Sequence, residues 1–223
     1  MGTVSLSKQN RLFWLGRYSE RVFIGIQMMQ EQYDRLIDGD SMDYAAFCQG
    51  MGIPCPYVDG DDFCRRYLFD GGDFNSVLSS VEAMLGNGMV LRETITTPTL
   101  AYLQMARNAM VQAAGSASPG IQLQWVLDDI MAFRGSFDDS VDEETTRNIT
   151  KSGILVERIS LMLRVNWQTE RLERELAKLL NRLYKTDLAR NAEAVEVISR
   201  HVMGGEAVDA QTLLHSVEGL FLV

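Results

Sequence analysis

Residues 7–37 read as one uninterrupted helix, and a helix of that length dictates much of what the chain can become. Its apolar line, Leu12, Leu15, Ser19, Phe23, Ile26, Tyr33 and Ile37, has a near-heptad rhythm. Such a line requires long antiparallel neighbours to cover it. Ser5 and Ser7 are the N-cap residues on offer, and Asp38-Gly39-Asp40 is a stop. With only 4 prolines in 223 residues, further long helices meet little obstruction.

The rest of the chain keeps the same period. Residues 38–73 are rich in Asp, Gly and Pro and read as a loop-rich insertion with a short helical FCRRYLF. Residues 74–95 return to helical spacing through Val77, Val81, Met84, Leu85, Met89 and Leu91, with Asp73 or Asn75 as cap. Thr96-Thr97-Pro98 restarts a helix that ends at Gly115, and SASPG links it to the next. A long helical stretch over 141–184 has candidate breaks at Gly153 or Asn166, and 186–223 adds two more helices as a C-terminal extension. No segment alternates as a strand does. The expectation is an all-α fold, a bundle of roughly six to eight helices in a single domain over residues 1–223.

Composition excludes several partners. A formal net charge of −9 argues against a nucleic-acid backbone or an anionic membrane surface as a general partner. No run approaches about 18 apolar residues, so no membrane span is expected. The first residues lack a basic region followed by an apolar run, so they do not read as a secretory signal. MGTVSL does fit the loose N-myristoylation pattern, which matters only in a eukaryote. Cys48, Cys55 and Cys64 have spacings that fit neither a zinc ribbon nor a C-x-x-C motif, and reduced thiols in the cytoplasm are the expectation.

Charges on apolar ground carry the functional question. On the first helix, Phe13, Arg17, Glu20 and Ile24 share one stripe. The stretch GRYSERVFI (16–24) is echoed by GILVERISL (153–161), each with Gly, three residues, then Glu-Arg. Glycine inside a helix costs about 1 kcal/mol relative to Ala, so two in equivalent places suggest close helix approach. Ile154, Glu157 and Leu161 again share a stripe, and Arg92-Glu93 is a third pair flanked by apolar residues.

These blocks resemble the bacterial Alpha-E family. LFWLGRYSERV is similar to its opening YWMGRYxERAEN signature, NSVLSSVEAMLGNGMVLRETI to its middle AREN…VRExIS stretch, and FRGSFDDSV…TRNITKSGILVERI to its late G…R…lGxxLERAD segment. Residue by residue, Gly16, Arg17, Tyr18, Glu20 and Arg21 match the first block. Asn87, Arg92 and Glu93 match the second, and Gly153, Glu157 and Arg158 the third. Phe23, Ile24, Gly86, Met89 and Ser160 stand where the family carries polar residues, which marks a diverged copy with a reduced polar constellation. The resemblance implies a helical bundle working alongside ATP-grasp-type ligases or transglutaminase-like proteins in peptide or amide synthesis or modification.

Three functions remain open at this level. The leading one is a non-catalytic or co-catalytic partner of an ATP-grasp-type ligase, with Arg17, Glu20, Arg21, Asn87, Arg92, Glu93, Glu157 and Arg158 binding a carboxylate or peptide substrate. The second is a structural or interaction protein in which the same residues form only a buried helix latch, fixing register as polar core residues do. The third is a stand-alone amide-forming or hydrolytic enzyme using Glu20 or Glu157 as base. A homo-oligomer is compatible with all three. A dimetal site would need Glu-x-x-His motifs, and neither His201 nor His215 has a Glu three residues before it. No nucleophile motif or phosphate-binding loop is present either, so no metal or other cofactor is expected. The closing VEGLFLV is apolar enough either to dock on the protein's own core or to meet a partner.

Overall fold

The computed structural model describes residues 4–37, 43–205 and 207–223. The Asp38–Asp40 stop, the first three residues of the MGTVSL pattern and Glu206 of the last expected helix lie outside these. Ten α-helices are present among the described residues: α1 Leu6–Ile37, α2 Tyr44–Met51, α3 Gly60–Phe69, α4 Val77–Val90, α5 Thr97–Ala114, α6 Pro119–Ser140, α7 Glu144–Val165, α8 Leu172–Leu183, α9 Ala192–Gly204 and α10 Ala210–Glu218. No strand occurs among them, only an isolated bridge between Arg190 and Phe221. The fold is all-α. It has more helices than the periodicity suggests, because residues 38–73 hold two short ones and the 141–184 stretch divides in two. That division falls at Asn166, which takes a left-handed φ of 51°, a conformation Asn tolerates better than most residues. Helix α7 runs through Gly153 without a break. Among the described residues, no helix is long and apolar enough to cross a membrane.

Two compact units make up the chain: residues 1–17 with 142–223, and residues 18–141. In the first unit, Ser5 caps α1, accepting the Lys8 N–H at 3.4 Å. Leu12 and Leu15 of α1, Val156 and Ile159 of α7, Leu176 and Leu179 of α8, Ile198 of α9 and Val217 of α10 are fully buried. The chain end docks at home. Leu222 N–H donates to the Ala189 carbonyl at 2.9 Å, Asn191 N–H to that of Leu220 at 3.0 Å, and Phe221 meets Phe13 edge-on at 5.6 Å. Leu222 and Val223 stay exposed.

In the second unit, α2 and α3 carry a cluster of aromatic rings. Phe63 stacks on Tyr67 at 5.4 Å and is flanked by Tyr44, Phe47 and Tyr57. Helices α5 and α6 pair along their length, and their far ends are joined by hydroxyls. Thr99 Oγ1 lies 2.7 Å from Ser136 Oγ and 3.2 Å from Ser140 Oγ, with Thr96 Oγ1 3.0 Å from Thr99. Thr96 is thereby drawn away from capping α5, where its side chain makes no cap hydrogen bond.

The feature that positions the candidate site is in the first unit. A Cβ built on Gly16 would lie 2.0 Å from the Thr150 carbonyl oxygen, and one on Gly153 would lie 2.0 Å from that of Phe13. Each carbonyl belongs to the residue three before the opposing glycine, so α1 and α7 cross with local two-fold symmetry, backbone against backbone. Replacing Gly16 or Gly153 by Ala is therefore expected to destabilise the protein by about 1–3 kcal/mol or more through overpacking. In the middle of α6, a Cβ on Gly135 meets nothing within 4 Å. There the same change is expected to stabilise by about 0.5–1 kcal/mol through helix propensity. Urea unfolding of the three variants checks both signs.

Candidate functional site

The glycine crossing brings the charged residues flanking it into contact. Arg17, next to Gly16, donates from Nε to Glu157 Oε2 at 2.7 Å, and Glu157 is one turn beyond Gly153. The Glu157 side chain is only 3% exposed and that of Arg17 only 13%. The Arg17 guanidinium also lies 4.7 Å from the centre of the Trp14 ring, which shields it from solvent.

Glu157 and Arg158 each meet a charge on a neighbouring helix. Successive residues on a helix point about 100° apart, so each reaches a different neighbour. While Glu157 faces α1, Arg158 reaches α8 and donates to Glu175 Oε2 at 3.0 Å. Glu175 is buried and also accepts from Lys178 at 2.7 Å and Arg174 at 3.3 Å. Arg182, two turns along α8, donates to Asn148 Oδ1 on α7. Arg164 near the end of α7 grips Glu218 of α10 with one guanidinium edge, donating from Nε and Nη2 at 2.8–3.0 Å.

In the second unit Glu20 has the same environment with a different partner. Its side chain is 1% exposed and its Oε2 accepts from Arg134 of α6 at 2.5 Å. Arg134 also donates to the Ser19 carbonyl at 3.2 Å and stacks 4.7 Å over Phe23. Phe23 thus gives the guanidinium an aromatic floor. Arg21, next along the helix, stacks on Tyr18 at 5.7 Å. In the first block the arginine that follows glycine serves the facing glutamate. The residue after Gly153 is Ile154, and Glu20 takes its cation from α6 instead.

The middle block is placed differently. Helix α4 ends at Val90, and Arg92 and Glu93 stand in the turn that follows, 73% and 88% exposed, 3.3 Å from each other. They do not enter a buried charge cluster. Asn87 is half-buried in the last turn of α4, where its carbonyl accepts the Leu91 N–H at 3.0 Å. Gly86 and Met89 are exposed, whereas Ile24 and Ser160 are buried.

Two members of the buried ion pairs lie outside the residues singled out by their sequence pattern, Arg134 and Glu175. The signal that would have found them is the one that found Glu20. Arg134 falls between Ile130 and Phe137, and Glu175 between Leu172 and Leu179, each at helical spacing on an otherwise apolar stripe. His201 accepts the Val208 N–H on Nδ1 at 3.3 Å, and its Nε2 lies 2.9 Å from Glu173 Oε1. Among the described residues no three His, Cys, Asp or Glu side chains are grouped to hold a metal ion.

Fold and charges together define a class, an all-helical protein whose buried glutamates are each matched by a cation from another turn or helix. The chain belongs to the Alpha-E family: the model of that family, described as a predicted alpha-helical domain with a conserved ER motif, matches residues 8–220. No curated protein and no solved structure matches it.

Burial alone would raise the pKa of Glu175, but hydrogen bonding to Lys178 and the charge and hydrogen bond of Arg158 outweigh it, and the net shift is downward from the ordinary 4.5. The folded state therefore binds the proton less readily than the unfolded state. The resulting stability is complete above pH 4.5 and is lost as pH falls through the depressed folded value. Glu175→Gln is expected to be less stable at neutral pH and to show a flatter decline below pH 4.5, read from unfolding midpoints across an acid titration.

Proposed function

We propose that the protein is a non-catalytic helical partner of an ATP-grasp-type ligase, whose buried Glu/Arg pairs hold its own helices and whose exposed Arg92-Glu93 turn meets the ligase. One observation carries this reading. Each of the buried glutamates, Glu20, Glu157 and Glu175, is already occupied by an arginine of the same unit at 2.5–3.0 Å. On this reading the carboxylates are spent on the protein's own arginines and are given no substrate to bind. Removing one member of a buried pair costs on the order of 3–5 kcal/mol, which fits a latch.

The middle block of the family pattern lies outside the latches. Arg92 and Glu93 match that block, yet folding makes little use of them. An exposed ion pair between adjacent residues is worth about 0–1 kcal/mol. Beside them Met89 and Val90 are 55% and 59% exposed, so the turn offers apolar area rimmed by both signs of charge, a composition suited to a protein partner. The ligase identity rests on the Alpha-E resemblance, and the role is in peptide or amide synthesis or modification.

Co-purification of the tagged protein with an ATP-grasp-type ligase from the same source tests this. The wild type is expected to retain the ligase, the double reversal Arg92→Glu with Glu93→Arg to lose it with an unchanged melting temperature, and Glu20→Gln to melt lower yet still bind while folded. No retention by the wild type, or loss of binding by folded Glu20→Gln with the reversal silent, would contradict the reading.

A further inference from the structure

Helix α6 keeps a glycine in its interior for which its own unit gives no use. Gly135 is helical, outside the left-handed region that Gly52 and Gly205 occupy, and a Cβ built on it meets nothing within 4 Å. Glycine weakens a helix interior, because it has more backbone freedom to lose than any other residue. At Gly16 and Gly153 the close approach of an opposing backbone accounts for the residue. At Gly135 no such approach occurs within the chain.

The same face of α6 is bulky and apolar at its other end. Ile121, Trp125, Asp128, Ala132, Gly135 and Asp139 follow one another at alternate spacings of four and three, the rhythm of a helix–helix seam. Ile121 is 71% exposed and Trp125 61%. The stripe therefore carries a large ring at one place and a gap ten residues further on, about 15 Å along the axis. A second α6 running antiparallel fits both at once. With a two-fold axis beside residue 130, Trp125 of each copy falls on Gly135 of the other, and Asp128 falls beside Ala132. Ile121 and Asp139 meet at the ends of the seam, where the carboxylate stays in water. A parallel pair would set ring against ring and gap against gap.

We propose that two copies of this chain pair through α6 in this antiparallel register, each Trp125 ring packing over the other copy's Gly135. The absent Cβ lets the ring lie against helix backbone, and Ala132 keeps the approach close. Met131, 55% exposed, flanks the axis and extends the apolar contact. The seam is a single helix wide, which is small for a stable interface, so pairing depends on concentration. Charge works against it. Asp128, whose Oδ1 accepts Gln124 Nε2 at 2.9 Å, and Asp129 lie within a turn of the axis and repel their copies. Salt screens that repulsion, so the pair tightens as ionic strength rises. A basic helix of another protein on the same face would respond in the opposite sense.

Analytical ultracentrifugation of the full chain across a range of protein and salt concentrations tests this. The wild type is expected to pass from monomer to dimer with concentration, and to do so earlier in high salt and in Asp128→Asn. Trp125→Gly and Gly135→Trp are each expected to weaken the pair about tenfold or more. The double change Trp125→Gly with Gly135→Trp exchanges ring and gap, and the antiparallel register brings them together again, so dimerisation is expected to return. Trp125 is exposed and the space over Gly135 is open, so all three variants should keep the helical circular dichroism of the wild type. A chain that is monomeric at every concentration, a dimer that either single change leaves intact, or an exchange variant no better than the single ones would overturn the proposal. A dimer that loosens as salt rises would overturn it as well.

Discussion

A backbone contact between α1 and α7 underlies the buried chemistry of the first unit. Helices whose side chains keep them apart pack at 8–10 Å; at Gly16 and Gly153 the opposing carbonyl occupies the place of a Cβ. Any other residue at either position must push the helices apart. The contact also fixes register. Sliding one helix by a turn would set a side chain against a carbonyl and part Arg17 from Glu157. Burying two charges is expensive, and an apolar pair of similar volume is often as stable or more so. On the proposed latch reading, the advantage of an ion pair here is specificity, since the alignment that brings the glycines together is the one that brings Arg17 to Glu157.

The Glu-Arg dipeptide extends that alignment to a third helix. Its two side chains diverge around the helix, so Glu157 is satisfied by α1 and Arg158 by Glu175 of α8. One two-residue motif thus holds a helix between two neighbours. Glu20 and Arg134 repeat half of this arrangement within the second unit, with Phe23 supporting the guanidinium. Glu-Arg also occurs at 170–171 and 173–174, where Glu170 and Glu173 are exposed. The dipeptide alone is not the device; its placement on an apolar stripe, one turn after a glycine, makes it one.

Much of this was legible in the sequence. The helical period located most elements, and Gly-x-x-x-Glu-Arg pointed to close approach before any geometry was known, because a mid-helix glycine needs a reason. What remained hidden had physical causes. The turn after α4 passes for helix because Leu91 and Ile95, four residues apart, are both buried, so Arg92 and Glu93 read as a helical pair flanked by apolar residues, whereas they stand exposed in a turn. Partner assignment failed for Arg134 and Glu175 because an apolar stripe shows that a charge is buried but not which distant charge meets it. The two short helices of residues 38–73 depend on Asp43 and Asp59 caps and on aromatic packing that connects residues far apart in a loop-like composition.

The claim that the buried pairs are latches is tested most directly by a double-mutant cycle of Arg17→Met and Glu157→Gln, with unfolding free energies measured for the wild type, both single variants and the double. Each single change leaves a buried group without its partner, whereas the double change removes both charges. The expected result is two strongly destabilised single variants and a double variant much less destabilised than their sum, with a coupling of about 2–3 kcal/mol. Additive effects within about 0.5 kcal/mol, or single variants as stable as the wild type, would contradict the account.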